Sequence, residues 1–118
     1  MIELDLPYPP SVNALYAGKS RRYTSPKYKQ WKTDATIALG RAPFVAGDVA
    51  VTYTFERPKN KDGKTSKVRR DLGNLEKAVS DILVAMGVIQ DDSFIQKITL
   101  QWGKAPMGCR VELAEAGA

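Results

Sequence analysis

Residues Arg69 to Ser93 read RRDLGNLEKAVSDILVAMGVIQDDS, and the rest of the chain arranges itself around them. Leu72, Leu75, Val79, Ile82, Leu83 and Met86 recur at steps of three and four, the period of a helix with one buried face. Gly87 is a suitable stop for it. Asp71 stands at the mouth of that helix. Asn74, Lys77 and Asp81 follow at three- and four-residue steps on the face opposite the leucines. Asp91-Asp92-Ser93 then forms a turn, and basic residues crowd up to the start of the stretch. Carboxylates held among cations point to divalent-metal chemistry on a polyanion.

Outward from the helix, period-two alternation marks the strands. Val49, Val51, Tyr53 and Phe55 alternate upstream, as do Ile2, Leu4 and Leu6 before Pro7, Pro9 and Pro10. Between them Ser25-Pro26 opens a second helix, serine as the N-cap and proline at the first helical position. Tyr28, Trp31, Ala35, Ala38 and Leu39 form its core face, and Gly40 and Pro43 close it. Downstream, Ile95–Gly103 and Cys109–Leu113 both alternate. The Gly103–Gly108 link with Pro106 predicts that these two strands form a hairpin. The order is β-α-β-α-β-β, an α+β domain with two helices packed on a small mixed sheet. A length of 118 residues predicts a single domain over residues 1–118.

Composition narrows the chemistry. The chain has no histidine and one cysteine, so neither a Ser-His-Asp triad nor a histidine- or cysteine-held zinc is available. Hydrolysis would have to run on carboxylates, lysine, tyrosine or bound metal. The lone Cys109 reads as a small apolar filler of a strand and suits a reducing cytoplasm. MIELDLPYPP carries acids where a signal peptide carries lysines, and no apolar run is long enough to span a membrane, so a cytoplasmic protein is expected. The net charge of +5 is unevenly spread. Residues 19–32 carry six Lys/Arg and no acid, and residues 56–70 carry seven against Glu56 and Asp62. Basic segments against an acidic remainder suggest a polyanion-binding face. Asn13, Tyr16 and Tyr23 stand among the arginines of the first segment, a mixture suited to stacking on bases and neutralising phosphates. The second segment, RPKNKDGKTSKVRR, lacks apolar periodicity, has a turn at Asp62-Gly63, and reads as a mobile loop that orders on substrate.

The individual acids allow two readings each. Asp71 serves as a helix cap or as a hard-oxygen metal ligand. Lys77 and Asp81 form a solvated ion pair or belong to a site. Asp91 and Asp92 make a surface turn or bring a further carboxylate to a metal.

RRDLGNLEKAVSDIL with the later DDS, together with the opening LPYPPSVNALY, resembles the RusA family of Holliday-junction resolvases. The resemblance runs from the Pro-Pro-x-x-Asn start through the Tyr-x-Ser stretch and the basic run to the Asp-x-x-Asn-x-x-Lys helix and its Asp-Asp. It implies a Mg²⁺-dependent endodeoxyribonuclease, with Mn²⁺ as a possible substitute. Such an enzyme works as a homodimer, nicks four-way junctions in recombination and repair, and is common in bacteria and prophages. The implied catalytic residues are Asp71, Lys77 and Asp92, with Asp71, Asp92 and Asp91 as metal ligands and Asn74 and Asp81 in support. Asn13, Arg21, Arg22, Lys64, Lys67, Arg69 and Arg70 would contact DNA. One position departs from the family pattern: Gly73 stands where a second carboxylate is expected. That substitution keeps open a protein that binds junctions and cuts them slowly or not at all. A basic α+β domain whose partner is RNA or protein is the third reading.

Overall fold

Strand β4 (Val49–Phe55) is bonded on both sides in the computed structural model, which describes residues 1–18, 23–64 and 71–116. Its alternation is borne out: Val49, Val51, Tyr53 and Phe55 are buried. On one side it pairs antiparallel with β6 (Gly108–Glu115), which pairs in turn with β1 (Ile2–Pro7). On the other it pairs parallel with β5 (Ile95–Trp102), giving the sheet order β1-β6-β4-β5. A two-stranded ribbon, β2 (Tyr16–Ala17) with β3 (Tyr23–Thr24), stands apart from this sheet. Helices α1 (Pro26–Leu39) and α2 (Glu76–Ala85) complete the small α+β architecture with a mixed sheet.

The hairpin expected from the last two strands does not form. β4 and β5 are joined through α2, and a helical crossover makes its flanking strands parallel. The vacant edge of β4 is taken by β6, whose Cys109, Val111 and Leu113 are all buried. β5 is left at the sheet edge, with Ile98 40% exposed. The Gly103–Gly108 link therefore crosses the end of β4. The Gly103 amide donates to the Phe55 carbonyl (3.0 Å), the Ala105 amide to Glu56 Oε1 (3.2 Å), and the Glu56 amide to the Gly108 carbonyl (3.0 Å). Two glycines permit the crossing. A Cβ at Gly103 would stand 2.9 Å from Thr54 Cγ2, and Gly108 has φ +118° and lies against the backbone of Tyr8.

Helix α1 begins as its sequence predicts. Ser25 Oγ accepts the Tyr28 amide (3.1 Å) and donates to the Ala14 carbonyl (2.6 Å), tying the helix to a 3₁₀ turn at Val12–Ala14. Trp31 Nε1 donates to the Pro7 carbonyl (2.9 Å), so the first half of α1 lies beside the carboxyl end of β1. Helix α2 runs against the direction of β4. Ser80 meets Tyr53 at 2.9 Å, and beyond Gly87 the Val88 carbonyl accepts the Val45 amide (2.8 Å), before β4 begins. Both helices thus start at the carboxyl end of β1, β4 and β5.

Tyr53 and Ser80 also make the polar relay of the core. Ser80 Oγ donates to Glu76 Oε1 (2.8 Å), so its single proton is used and the Tyr53 hydroxyl donates to Ser80. Burial pushes the Tyr53 hydroxyl well above the ordinary tyrosine range. Ser80→Ala leaves that hydroxyl buried without an acceptor, at a cost of about 1–3 kcal/mol. Tyr53→Phe removes donor and demand together and costs less, about 1 kcal/mol. Urea denaturation should place the variants in that order, and the reverse order would refute the relay. Cys109 is the buried filler expected of it; burial pushes its thiol up to about 12, so it is not a thiolate at neutral pH.

Candidate functional site

The helix expected to start at Asp71 starts differently. Leu72–Leu75 is a 3₁₀ turn, and α-helix begins at Glu76. The Gly73 amide donates to Asp71 Oδ1 (2.9 Å) and the Asn74 amide to the Asp71 carbonyl (3.1 Å). Glycine is a weak helix former, and the short acidic side chain competes for the first free amides, so the tighter turn prevails. The tighter turn changes which residues align. With three residues per turn, Asp71 and Asn74 share one side. Both line a cleft of about 380 Å³ with Tyr8, Pro9, Pro10 and Lys27. Lys77 and Asp81, on α2 proper, pair with each other instead (Nζ–Oδ2 3.3 Å). Neither of them lines the cleft.

This cleft lies at the carboxyl end of the sheet. Tyr8 follows Pro7, which pairs with Gly108, and the adjacent Cys109 pairs with Phe55, the last residue of β4. The Tyr8 and Phe55 rings meet edge to face at 6.4 Å. Lys27 comes from the first turn of α1, and Ser11 closes the rim. Of these residues the sequence marked only Asp71 and Asn74 for the site. In the sequence Lys27 is one of the six cations of residues 19–32, and the convergence of two helix starts is tertiary information. Asn13 is exposed in the Val12–Ala14 turn and is not part of the cleft lining.

Lys77 and Asp81 are about half and two-fifths exposed. Its hydrogen bond to Asp81, then the charge of that carboxylate, raises the Lys77 ammonium above its usual range. Tyr28 packs behind them, edge to face with Tyr16 (6.3 Å) and beneath Lys32 Nζ (4.4 Å). Burial, then the charge of Asp81, pushes its hydroxyl up to about 12.

Asp91 and Asp92 lie at the other end of the sheet. Asp91 caps a 3₁₀ turn at Asp92–Phe94, its Oδ2 accepting from Ser93 Oγ (2.6 Å) and the Ser93 amide (3.3 Å). These bonds hold its carboxyl below the usual range. The turn leads directly into β5, whose Ile95 pairs with Val49 at the start of β4. Asp71 stands beyond the end of β4, so the length of a seven-residue strand, about 20 Å, lies between them. One chain does not bring Asp71 together with Asp91 or Asp92. Among the described residues no three acidic, histidine or cysteine side chains gather around one point.

Lys64 is exposed, its amide donating to Asp62 Oδ1 (3.0 Å) in a turn that also bonds the Asn60 amide to the Lys64 carbonyl (2.7 Å). The expected turn at Asp62-Gly63 is present, with Gly63 at φ +82°. Arg21, Arg22, Lys67, Arg69 and Arg70 lie outside the described residues. No helix of the described residues is long and apolar enough to cross a membrane.

The donors at Asp71 suit a hard cation. The carboxylate is exposed, and among the described residues only its Oδ1 is engaged, by the Gly73 amide. Asn74 adds an amide oxygen on the same side. Mg²⁺ needs no more than one or two carboxylates when water and substrate phosphate fill its remaining positions.

No curated protein sequence matches the chain. A family model described as endodeoxyribonuclease RusA matches residues 7–114, from the last residue of β1 into the final residues of β6. That span takes in the cleft at Asp71 and the acidic turn alike, and the chain belongs to the RusA family of endodeoxyribonucleases, which act on Holliday-junction DNA.

Proposed function

We propose that the protein is a divalent-metal-dependent endonuclease that resolves four-way DNA junctions by paired nicks and works as a homodimer. The observation that carries this reading is the cleft that gathers Asp71, Asn74 and Lys27, in a chain of this family. Asp71 and Asn74 would hold the metal, with Asp92 of the partner subunit as a further ligand. A two-fold dimer can bring opposite ends of two chains together, and then does so reciprocally at two sites. Mg²⁺, or Mn²⁺ in its stead, neutralises phosphate charge and activates water when bound at such a site.

The chain's own residues do the rest. The Gly73 amide fixes the Asp71 carboxylate before substrate arrives, so little reorganisation accompanies the reaction. Lys27 offers positive charge to the oxygens of the phosphodiester in the cleft. Lys77, kept protonated by Asp81, adds charge from the first turn of α2. A four-way junction is two-fold symmetric, so two such sites address opposed strands.

A second reading is a junction-binding protein that cuts weakly, and Gly73 is the observation that favours it. A Cβ there would stand 3.3 Å from Asp71 Oδ1, and the position is exposed, so a side chain fits after a small shift of that carboxylate. Gly73→Asp is expected to raise the nicking rate by about three- to tenfold by adding a hard ligand. An unchanged rate in a single-turnover assay would show that the partner's acid or water already suffices.

The reading is tested with a synthetic four-way junction in Mg²⁺ and in EDTA. Paired symmetric nicks that need the metal are expected. Junction-selective binding without nicks would favour the second reading, and equal affinity for linear duplex would overturn both.

A further inference from the structure

We propose that a second cleft at the same end of the sheet, formed by Arg57, Lys59 and Lys104 beside Trp102, binds the DNA phosphodiester backbone on a path leading to Asp71. The proposal rests on the nuclease reading for its ligand, and on separate residues for its evidence. The cleft measures about 440 Å³ and Gly103 is part of its lining. Arg57 Cζ lies 4.4 Å above the Trp102 ring, which holds the guanidinium as a fixed plane. A plane of that kind presents paired donors to phosphate oxygens, where a free lysine offers a point charge. Lys59 and Lys104 stand exposed at its sides. Glu56, the acid among the lining residues, is turned to the backbone, its Oε1 accepting the Ala105 amide (3.2 Å). Two exposed lysines and the half-buried Arg57 thus stand around one engaged carboxylate.

This cleft is connected to the Asp71 site. Between them a further depression of about 390 Å³ shares Arg57 and Lys59 with the cationic cleft and Tyr8 with the Asp71 cleft. From β1 to β5 the sheet spans three strand spacings, about 14 Å. Successive nucleotides of one duplex strand rise about 3.4 Å each, so the path accommodates roughly four of them. Arg57, Lys59 and Lys104 therefore meet phosphates other than the one beside Asp71. They set the direction in which a strand leaves the reaction site, and carry no base preference.

Junction binding in EDTA, titrated at several salt concentrations, tests this. The variants are the double substitution Arg57→Ala with Lys104→Ala, and, as a charge control, Arg41→Ala beyond the far end of α1. Removing two phosphate contacts is expected to weaken binding by about tenfold and to flatten the slope of log affinity against log salt by about 2. Arg41→Ala should move neither by more than its measurement error. Arg57→Lys should lose more affinity than salt slope, since charge stays and the plane goes. Melting temperatures confirm that the variants are folded. Trp31 is 5% exposed, so a change in tryptophan emission on binding is expected to report Trp102 and to vanish in Trp102→Phe. An unchanged slope for the double variant, or an equal fall for Arg41→Ala, would overturn the proposal. A wild type that binds with this slope but never nicks would overturn the nuclease reading and leave the path standing. Metal-dependent nicking with a slope indifferent to Arg57 and Lys104 would do the opposite.

Discussion

Asp71→Asn is expected to lower single-turnover nicking of a four-way junction by about 10²–10³-fold while leaving the fold and junction affinity nearly intact. Asparagine is isosteric, and its amide oxygen accepts the Gly73 amide as Asp71 Oδ1 does at 2.9 Å. It is also as good a cap as aspartate, so the 3₁₀ turn at Leu72–Leu75 should persist and the melting temperature should hardly move. What disappears is one negative charge in a cleft that holds Lys27 and Asn74. Phosphate binding does not need that charge, and affinity in EDTA should stay the same or rise slightly. Activity within tenfold of wild type, in a variant shown to be folded, would remove Asp71 from the reaction.

The second large effect is expected from Asp92→Asn, about 10²-fold on nicking, although Asp92 stands a sheet length from Asp71 in its own chain. The two adjacent acids should separate cleanly. Asp91 is occupied as a cap, with two bonds from Ser93, and an asparagine there can keep them. Asp92 is exposed, and its carboxylate accepts no hydrogen bond among the described residues. Asp91→Asn is therefore expected to cost less than about tenfold, and a small loss of turn stability at most. Rates for the two variants on one labelled junction decide between them. A larger loss for Asp91→Asn would exchange their roles.

Local chemistry was legible in the sequence and spatial assembly was not. Ser25-Pro26, Gly40 and Gly87 set the helix ends where expected, because caps and positive-φ stops act within a few residues. The alternation of β4 held because period two reports burial directly. Alternation does not report a strand's neighbours, and so it suits a hairpin of β5 and β6 although β6 lies between β1 and β4. Gly103, Pro106 and Gly108 signal a change of direction equally well for a tight turn and for a crossing over β4. The start of α2 differs for a similar reason: a three-residue step from Asp71 to Asn74 suits both helix types, and the bond from the Asn74 amide to the Asp71 carbonyl marks the tighter one. Lys27 was invisible as a site residue, being remote from Asp71 in the chain. Asp92 posed the reverse problem. It follows Asp71 by one helix, and a helix that begins at one end of a sheet must deliver it to the other.

Whether catalysis joins Asp71 of one chain to Asp92 of the partner subunit is tested most directly by complementation between variants. Asp71→Asn and Asp92→Asn chains are refolded together in equal amounts and assayed on a four-way junction with Mg²⁺. In half of the dimers one chain is of each kind, and each such dimer then has one site with both acids intact. About a quarter of the wild-type number of active sites should return, each nicking a single strand, although each variant alone is inactive. Mixed dimers that form and stay as inactive as either parent would contradict the shared site.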